Sequence, residues 1–229
     1  MAKKSIPVST LIFLKDLKKN NDRDWFAKHK DRYLAECENM AFFSEALLTG
    51  LRKQDHIETE SGKKSLYRIY RDVRFSEDKT PYKTTFNGGF KRATKLLRGG
   101  YYFHIEPSNS FIAGGFFGPN PEDLKRIRQD IDHNHEEWRT ILKNKTFTKY
   151  FNQLQGECVK TAPRGYLNDH PVIDLLRHKQ FLLRRNFSNE EVLSPAFPEE
   201  ALKTYRAMKP FFDHMSQVLT TDANGLPIY

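Results

Sequence analysis

Residues 100–117 read GYYFHIEPSNSFIAGGFF, and this stretch decides the fold. Apolar and polar side chains alternate along residues 101–106, and a Pro107-Ser108-Asn109 turn signal separates them from a second strand pattern. Alternation is typical of strands with one buried face. A short connection can join only antiparallel neighbours, because parallel strands need a crossover of about a dozen residues or more. The stretch therefore predicts two antiparallel strands, at 100–106 and 110–117.

Further strand patterns lie on both sides of this hairpin. They occur at 66–75, 85–91 and 180–187, with a shorter candidate at 56–60. Segment 66–75 alternates as clearly as 101–106 does, and short connections link the central segments. We therefore expect 66–75 and 101–106 to lie in the same antiparallel sheet.

Helical periodicity flanks the strands. Candidate helices cover 10–19 with Ser9 as cap, 31–53, a segment capped by Asn120, a capping box at 188–191, and a last helix from Pro198 that Pro210 should kink or split. Helices, then a sheet, then helices predict an α+β fold, with an antiparallel sheet from the central segment packed with N-terminal and C-terminal helices. With no stretch typical of a linker, the prediction is a single domain over 1–229 with an ordered core of about 8–220.

The composition indicates a globular protein of the cytoplasm. Of its 229 residues 38% are hydrophobic, and 18 Phe and 10 Tyr can bury large surfaces. No apolar run is as long as a membrane span requires, so no membrane partner is expected. Cys37 and Cys158 are far apart and form no C-x-x-C pair, which favours a reducing compartment. The sequence does not indicate an oligomeric state.

The formal net charge is +9, which favours an anionic partner such as nucleic acid or a phosphorylated metabolite. The basic residues are scattered along the chain rather than gathered in one tail. A basic surface that only keeps the protein soluble is the alternative, and composition leaves both open.

The densest run of chemically versatile side chains is RIYRDVRFSEDKTPYK at 68–83. If 66–75 is a strand, its mostly apolar face carries Tyr67, Ile69, Val73 and Phe75, with Arg71 as the odd member. The opposite face of this strand and of 101–106 would then present one polar set: Arg68, Tyr70, Asp72, Arg74, Tyr102, His104 and Glu106.

This polar set predicts an anion site. Guanidinium groups bind phosphate or carboxylate, and a histidine beside carboxylates can act as a general acid or base. We assign catalytic roles to His104, Asp72 and Glu106. Anion binding falls to Arg68, Tyr70, Arg71, Arg74, Lys79, Lys83 and Tyr102. The alternative is a structural network of cross-strand ion pairs.

The run at 68–83, followed by Gly100 to Pro107 and by Gly114-Gly115-Phe116, resembles the signature of a bacterial and fungal domain-of-unknown-function family of conserved hypothetical proteins. The segments 126–128 and 162–166 are also similar. The resemblance extends from about Ser9 to Phe212. It implies membership and brings no activity, cofactor or catalytic residue.

Other motifs are weaker. His133 and His135 are two residues apart, so on a helix they diverge and cannot easily share a metal ion. No phosphate-binding loop, nucleophile elbow or zinc-protease motif is present, so no metal or cofactor is assigned. Two functions remain: binding, with hydrolysis or transfer, of a small phosphate- or carboxylate-bearing molecule, or an interaction module that holds nucleic acid or protein through its basic surface. No recognised nucleic-acid motif supports the second.

Overall fold

The computed structural model describes residues 5–222 and 225–228. Before the first strand lie α1 (Val8–Lys19), α2 (Arg23–Lys28), α3 (Lys30–Leu51) and α4 (Gly62–Ser65). Helix α1 begins directly after Pro7, whose side chain cannot cap it, so the prediction of a Ser9 cap is wrong. The helix predicted at 31–53 is confirmed as α3, and its residues Met40, Ser44, Leu47 and Leu51, spaced three and four apart, are buried.

The strands are β1 (Phe86–Lys91), β2 (Gly100–Ile105), β3 (Ser110–Phe116) and β4 (Phe181–Phe187). They form a four-stranded antiparallel sheet in the order β1-β2-β3-β4. Strand predictions at 85–91, 100–106, 110–117 and 180–187 are thus confirmed. Tyr101, Phe103 and Ile105 are buried while Tyr102 and His104 are half-buried, as the alternation in β2 predicts.

Helices between β3 and β4, and after β4, complete the α+β fold that the sequence predicts. They are α5 (Pro121–His133), α6 (His135–Lys143), α7 (Lys145–Tyr150), α8 (Ile173–Leu176), α9 (Asn189–Leu193) and α10 (Phe197–Thr220). The Asn120 side chain caps α5, and the capping box of Ser188 and Glu191 begins α9, both as predicted.

Helix α10 continues through Pro210, so the proline does not split it. A proline inside a helix removes one hydrogen bond and crowds the preceding turn. On either side of Pro210, Met208, Phe211, Phe212 and Met215 are fully buried. The burial of these four side chains outweighs the local cost, so the helix persists.

The chain divides into two compact units. The first comprises Met1–Lys91, Tyr102–Ile112 and Asn186–Lys203. In its core, the Phe43 ring stacks on Phe197 at 5.4 Å and meets the edge of Phe103 at 5.6 Å. These aromatic contacts stabilise the unit beyond the burial of their surface.

The second unit comprises Arg92–Tyr101, Ala113–Arg185 and Thr204–Tyr229. In its core, Trp138 packs against Phe181 and Phe211, each with ring centroids 6.1 Å away. Whether both units unfold together, as the prediction of one domain over 1–229 requires, stays a prediction.

Candidate functional site

The run at 68–83, which the sequence marks as richest in chemistry, forms a loop whose base is paired. Arg71 N donates to the carbonyl oxygen of Pro81 at 2.9 Å, and Lys83 N donates to that of Ile69 at 2.7 Å. Tyr70 and Tyr82 form an isolated antiparallel bridge, and Leu66 forms another with Gly88 of β1. We call residues 66–83 the signature loop.

The predicted strand over 66–75 is wrong. In this segment only the two isolated bridges pair as strands do. Beyond Arg71, polar side chains of the loop form hydrogen bonds with nearby backbone groups instead. Asp78 Oδ1 accepts from Thr80 N at 2.9 Å, and Lys79 Nζ donates to the carbonyl oxygen of Val73 at 3.1 Å. Such local hydrogen bonds compete with the backbone hydrogen bonds between neighbouring strands. The alternation of apolar and polar residues in the sequence does not show whether they form.

Asp72 and Arg74 pair with each other at the exposed tip of the loop. Arg74 donates from Nε to Asp72 Oδ1 at 3.0 Å and from a terminal nitrogen to Oδ2 at 2.7 Å. This bond to Arg74 is the main cause of a lowered pKa at the Asp72 carboxyl. The neighbouring Phe75 is 96% exposed. Both side chains are exposed to solvent, so this ion pair contributes little to the free energy of folding.

The base of the loop borders an open pocket of about 470 Å³, which we call the basic pocket. The lining residues that the structure describes all belong to the first unit. They are Lys18, Asn21, Arg71, Asp78, Thr80, Tyr82, Lys83, Thr84, Thr85 and Asn87. Three cations and one carboxylate thus face the same space, beside hydroxyl and amide groups.

Arg71 is held in place within this pocket. One terminal nitrogen of its guanidinium donates to Asp78 and to the hydroxyl of Thr80, and the other donates to Ser76 Oγ at 3.4 Å. Lys83 Nζ donates to the carbonyl oxygen of Arg68 at 3.0 Å. Both cations are therefore oriented by the loop that carries them, which lowers the entropy lost when a ligand binds.

Asn21 joins the end of α1 to the loop. Its side chain donates to the carbonyl oxygen of Tyr82 at 2.9 Å and accepts from Tyr82 N at 3.1 Å. This paired contact fixes the loop backbone beside α1, where Lys18 also lines the pocket.

The carboxyl of Asp78 has a pKa lowered to about 2. The causes are hydrogen bonds from Thr80 N, from the Arg71 guanidinium and from the Thr80 hydroxyl, all of which favour the charged form. A carboxyl whose pKa is lower in the folded than in the unfolded state stabilises the fold above the unfolded value of about 3.9. That contribution is lost as the pH falls from about 4 through about 2.

We expect a carbon-detected NMR titration of Asp78 to give a midpoint near 2. In Arg71→Gln the midpoint should rise only part of the way to the ordinary value, because both donors of Thr80 remain. A wild-type midpoint at the ordinary aspartate value would contradict this arrangement.

A second group of predicted residues lies on β2 and at Glu106, which follows its last residue. The Tyr102 hydroxyl is 3.2 Å from His104 Nδ1, and His104 Nε2 is 3.2 Å from Glu106 Oε2. Asn109 donates to the same Glu106 oxygen at 2.7 Å, and Phe111 stacks on the imidazole at 4.5 Å. We call Tyr102, His104 and Glu106 the strand row.

The strand row has the arrangement of a proton relay. If Nε2 carries the proton and donates to Glu106, Nδ1 can accept from the Tyr102 hydroxyl. Glu106 would then stabilise the imidazolium that forms when His104 takes a proton, as a carboxylate does in a catalytic triad. The side chains of His104 and Glu106 are only 14% and 18% exposed, which strengthens their interaction.

The residues predicted as one site thus fall into three places. Arg71 and Lys83 line the basic pocket, and Tyr102, His104 and Glu106 form the strand row. The other predicted residues lie on the signature loop but do not line the pocket: Arg68, Tyr70, Asp72, Arg74 and Lys79. The ring of Tyr67, in the signature loop, lies 6.1 Å from that of Tyr102 in the strand row.

Only two of the ten described lining residues, Arg71 and Lys83, are among those predicted from sequence. Asp78, Thr80 and Tyr82 belong to the run at 68–83 but were given no role. Lys18 lies in the last turn of α1 and Asn21 just after it, and the segment 84–87 supplies Thr84, Thr85 and Asn87. These residues match no motif, and the bond that brings Asn21 to Tyr82 spans 61 residues of sequence. No local signal could have found them.

By its fold, the protein belongs to the α+β class: helices pack with a four-stranded antiparallel sheet, and the structure adds a basic pocket. The chain belongs to the conserved hypothetical protein family DUF2461, whose model matches residues 9–214, so the predicted family membership is confirmed. No curated protein matches the chain. No solved structure matches it either.

In the part of the chain that the structure describes, no helix is long and apolar enough to cross a membrane. No group of three or more His, Cys, Asp or Glu side chains there is placed to hold a metal ion.

Proposed function

We propose that the protein binds a small phosphate- or carboxylate-bearing molecule in the basic pocket. One observation carries the proposal: Lys18, Arg71 and Lys83 line a pocket whose only carboxylate among the described lining residues is Asp78. Three positive charges less one negative charge leave +2, which an anion would neutralise. A volume of about 470 Å³ suits a small molecule, since ligand pockets usually span about 300–1,000 Å³.

The contacts of Arg71 support this proposal. A guanidinium has five N–H donors, and its planar shape matches phosphate and carboxylate. Asp78 and Thr80 fix the group without occupying all five donors. Because Asp78 offsets part of the charge of Arg71, Lys18 and Lys83 supply the excess that selects an anion.

Hydrolysis or transfer at a phosphate-like centre would require a proton carrier besides the anion site. The strand row is the candidate, with His104 as acid or base, Glu106 as its orienting partner and Tyr102 as the group that exchanges the proton. Asp72 no longer fits the catalytic role predicted for it, because its described bonds are to Arg74.

The alternative of a nucleic-acid module is supported by one different observation. The signature loop exposes Tyr67, Tyr70 and Phe75 among several cations. Aromatic side chains interleaved with positive charges provide stacking surfaces for single-stranded nucleic acid. Such binding would engage many cations at once and would weaken steeply with salt.

Isothermal titration with inorganic phosphate and pyrophosphate tests the proposal. Arg71→Gln should raise the dissociation constant about 10- to 100-fold, because a hydrogen bond to a charged group contributes about 1.5–3 kcal/mol. Lys83→Gln should also weaken binding. Arg74→Gln is the matched control, since it removes a cation of the same loop outside the pocket, and it should change the constant less than about twofold.

The same variants separate the two functions. Equal losses in Arg71→Gln and Arg74→Gln, with tight binding of a single-stranded oligonucleotide, would contradict a pocket and favour the nucleic-acid module. Absence of phosphate and pyrophosphate binding to the wild-type protein would contradict the small-anion proposal outright.

A further inference from the structure

The second compact unit contains a pocket of opposite character, which we call the acidic pocket. Its volume is about 540 Å³, and it is lined by α5, α6, α10 and the segment just after α10. Its charged lining includes Asp130, Glu137 and Asp222 against Arg126. Three negative charges and one positive charge give −2 when the imidazoles of His133 and His214 are neutral. This balance is opposite in sign to the +9 of the whole chain.

The single arginine among the lining residues that the structure describes is already engaged. Arg126 donates to Glu122 at 3.3 Å, one turn away on α5. The positive charge of Arg126 is therefore shared with Glu122, which does not line the pocket. The net charge of the acidic pocket remains negative.

His214 lies between two of the carboxylates. It is only 7% exposed, and it lines the pocket. Its Nε2 is 3.2 Å from Asp130 Oδ2, and its Nδ1 is 3.3 Å from Glu137 Oε1. Nε2 nevertheless makes no well-directed hydrogen bond within the described part of the chain. One imidazole can carry one positive charge, so two carboxylates at this distance exceed what it can neutralise.

Asp130 is built to remain charged. It accepts from Trp138 Nε1 at 2.7 Å and from Asn134 Nδ2 at 2.7 Å. Burial raises the pKa of Asp130, but the neighbouring His214 imidazole and the hydrogen bonds from Asn134 and Trp138 outweigh burial and leave the pKa lowered. A carboxylate fixed by two donors keeps its position when a ligand enters.

From this geometry we infer that the acidic pocket binds a small molecule that carries an ammonium or guanidinium group. The cation would lie against Asp130 and Glu137, and the side-chain amides of Gln129 and Gln217, which also line the pocket, would accept further hydrogen bonds. This site is separate from the basic pocket of the first unit and selects the opposite charge.

Agmatine, which carries both an amine and a guanidinium, is the probe, and N-butylurea is its neutral control. By isothermal titration we expect agmatine but not N-butylurea to bind the wild-type protein. Glu137→Gln should weaken agmatine binding by about 5- to 30-fold, which corresponds to the loss of one charge-assisted contact of about 1–2 kcal/mol. Glu136→Gln, on the same helix with a side chain 89% exposed, should change it less than about twofold.

Asp130→Asn should weaken binding at least as much as Glu137→Gln, and it keeps an oxygen for Trp138 Nε1. If Asp130→Asn fails to fold, Glu137→Gln still decides, because its side chain is 59% exposed and contributes little to folding. Equal losses in Glu136→Gln and Glu137→Gln, binding of N-butylurea as tight as that of agmatine, or no agmatine binding at all would overturn the inference. None of these results depends on phosphate binding in the first unit.

Discussion

Replacing Arg92 with methionine should lower the free energy of unfolding by about 3–5 kcal/mol. The side chain of Arg92 is fully buried in the second unit and donates to Asp213 Oδ1 at 2.6 Å. It also donates to Ser216 Oγ at 3.1 Å and to the carbonyl oxygen of Arg98 at 3.0 Å. Methionine restores much of the apolar volume but none of these bonds, so the acceptors lose their donor.

Lys209→Met is the matched control, because Lys209 pairs with the other oxygen of the same Asp213 carboxylate. That lysine is 36% exposed, so its loss should cost no more than about 1 kcal/mol. Thermal melts measure both variants, and Arg92→Met should lower Tm by about 6–20 °C in a chain of this size. Similar small shifts in both variants would show that the buried guanidinium does not stabilise the fold.

Gly115→Ala should destabilise the protein by about 2–6 kcal/mol, which sums an unfavourable backbone conformation and overpacking. Gly115 has a φ of 134°, which L side chains rarely adopt. A Cβ there would overlap the carbonyl oxygen of Phe181 and lie 3.0 Å from Leu182 Cα on β4. Both neighbours are backbone atoms, so neither can move aside without disturbing the strand.

Gly118→Ala is the control for this variant. Among the described residues, no atom outside Gly118 and its two chain neighbours lies within 4 Å of the position that its Cβ would occupy. Urea unfolding of both variants should show a large loss for Gly115→Ala and a change within about 0.5 kcal/mol for Gly118→Ala. If Gly115→Ala unfolds at the wild-type midpoint, the close approach of β3 and β4 is wrong.

The structure gives the Gly114-Gly115 pair a role in packing. The pair Gly114-Gly115 is too short for a dinucleotide fingerprint, and its role in the structure is to let neighbouring elements approach. A Cβ on Gly114 would lie 2.8 Å from Met208 Sδ and 2.8 Å from Phe212 Cζ on α10. The two glycines therefore serve packing within the second unit.

The sequence predicts correctly those features that depend on interactions between residues close together in the chain. The alternation of β2, the Asn120 cap and the capping box at Ser188 each depend on neighbours in sequence, and all three are confirmed. The 66–75 segment alternates equally well, yet Asp72, Asp78 and Thr80 bind backbone and side chains within the loop. A sequence shows that such residues can form local hydrogen bonds. It does not show whether those bonds are more stable than the hydrogen bonds between paired strands.

The residues of the candidate sites also separate into those that local spacing predicts and those that only the packing of distant elements brings together. Spacing on one strand placed Tyr102, His104 and Glu106 together correctly. Arg71, which the strand pattern marked as out of place on an apolar face, instead lines the basic pocket. Lys18 and Asn21 reach that pocket through the packing of α1, which no motif encodes.

The central claim is that the basic pocket holds an anion. A crystal structure of the wild-type protein with inorganic phosphate tests this claim most directly. We predict tetrahedral density within hydrogen-bonding distance of the side chains of Arg71 and Lys83. Density elsewhere with this pocket empty, at a phosphate concentration that saturates binding in solution, would contradict it.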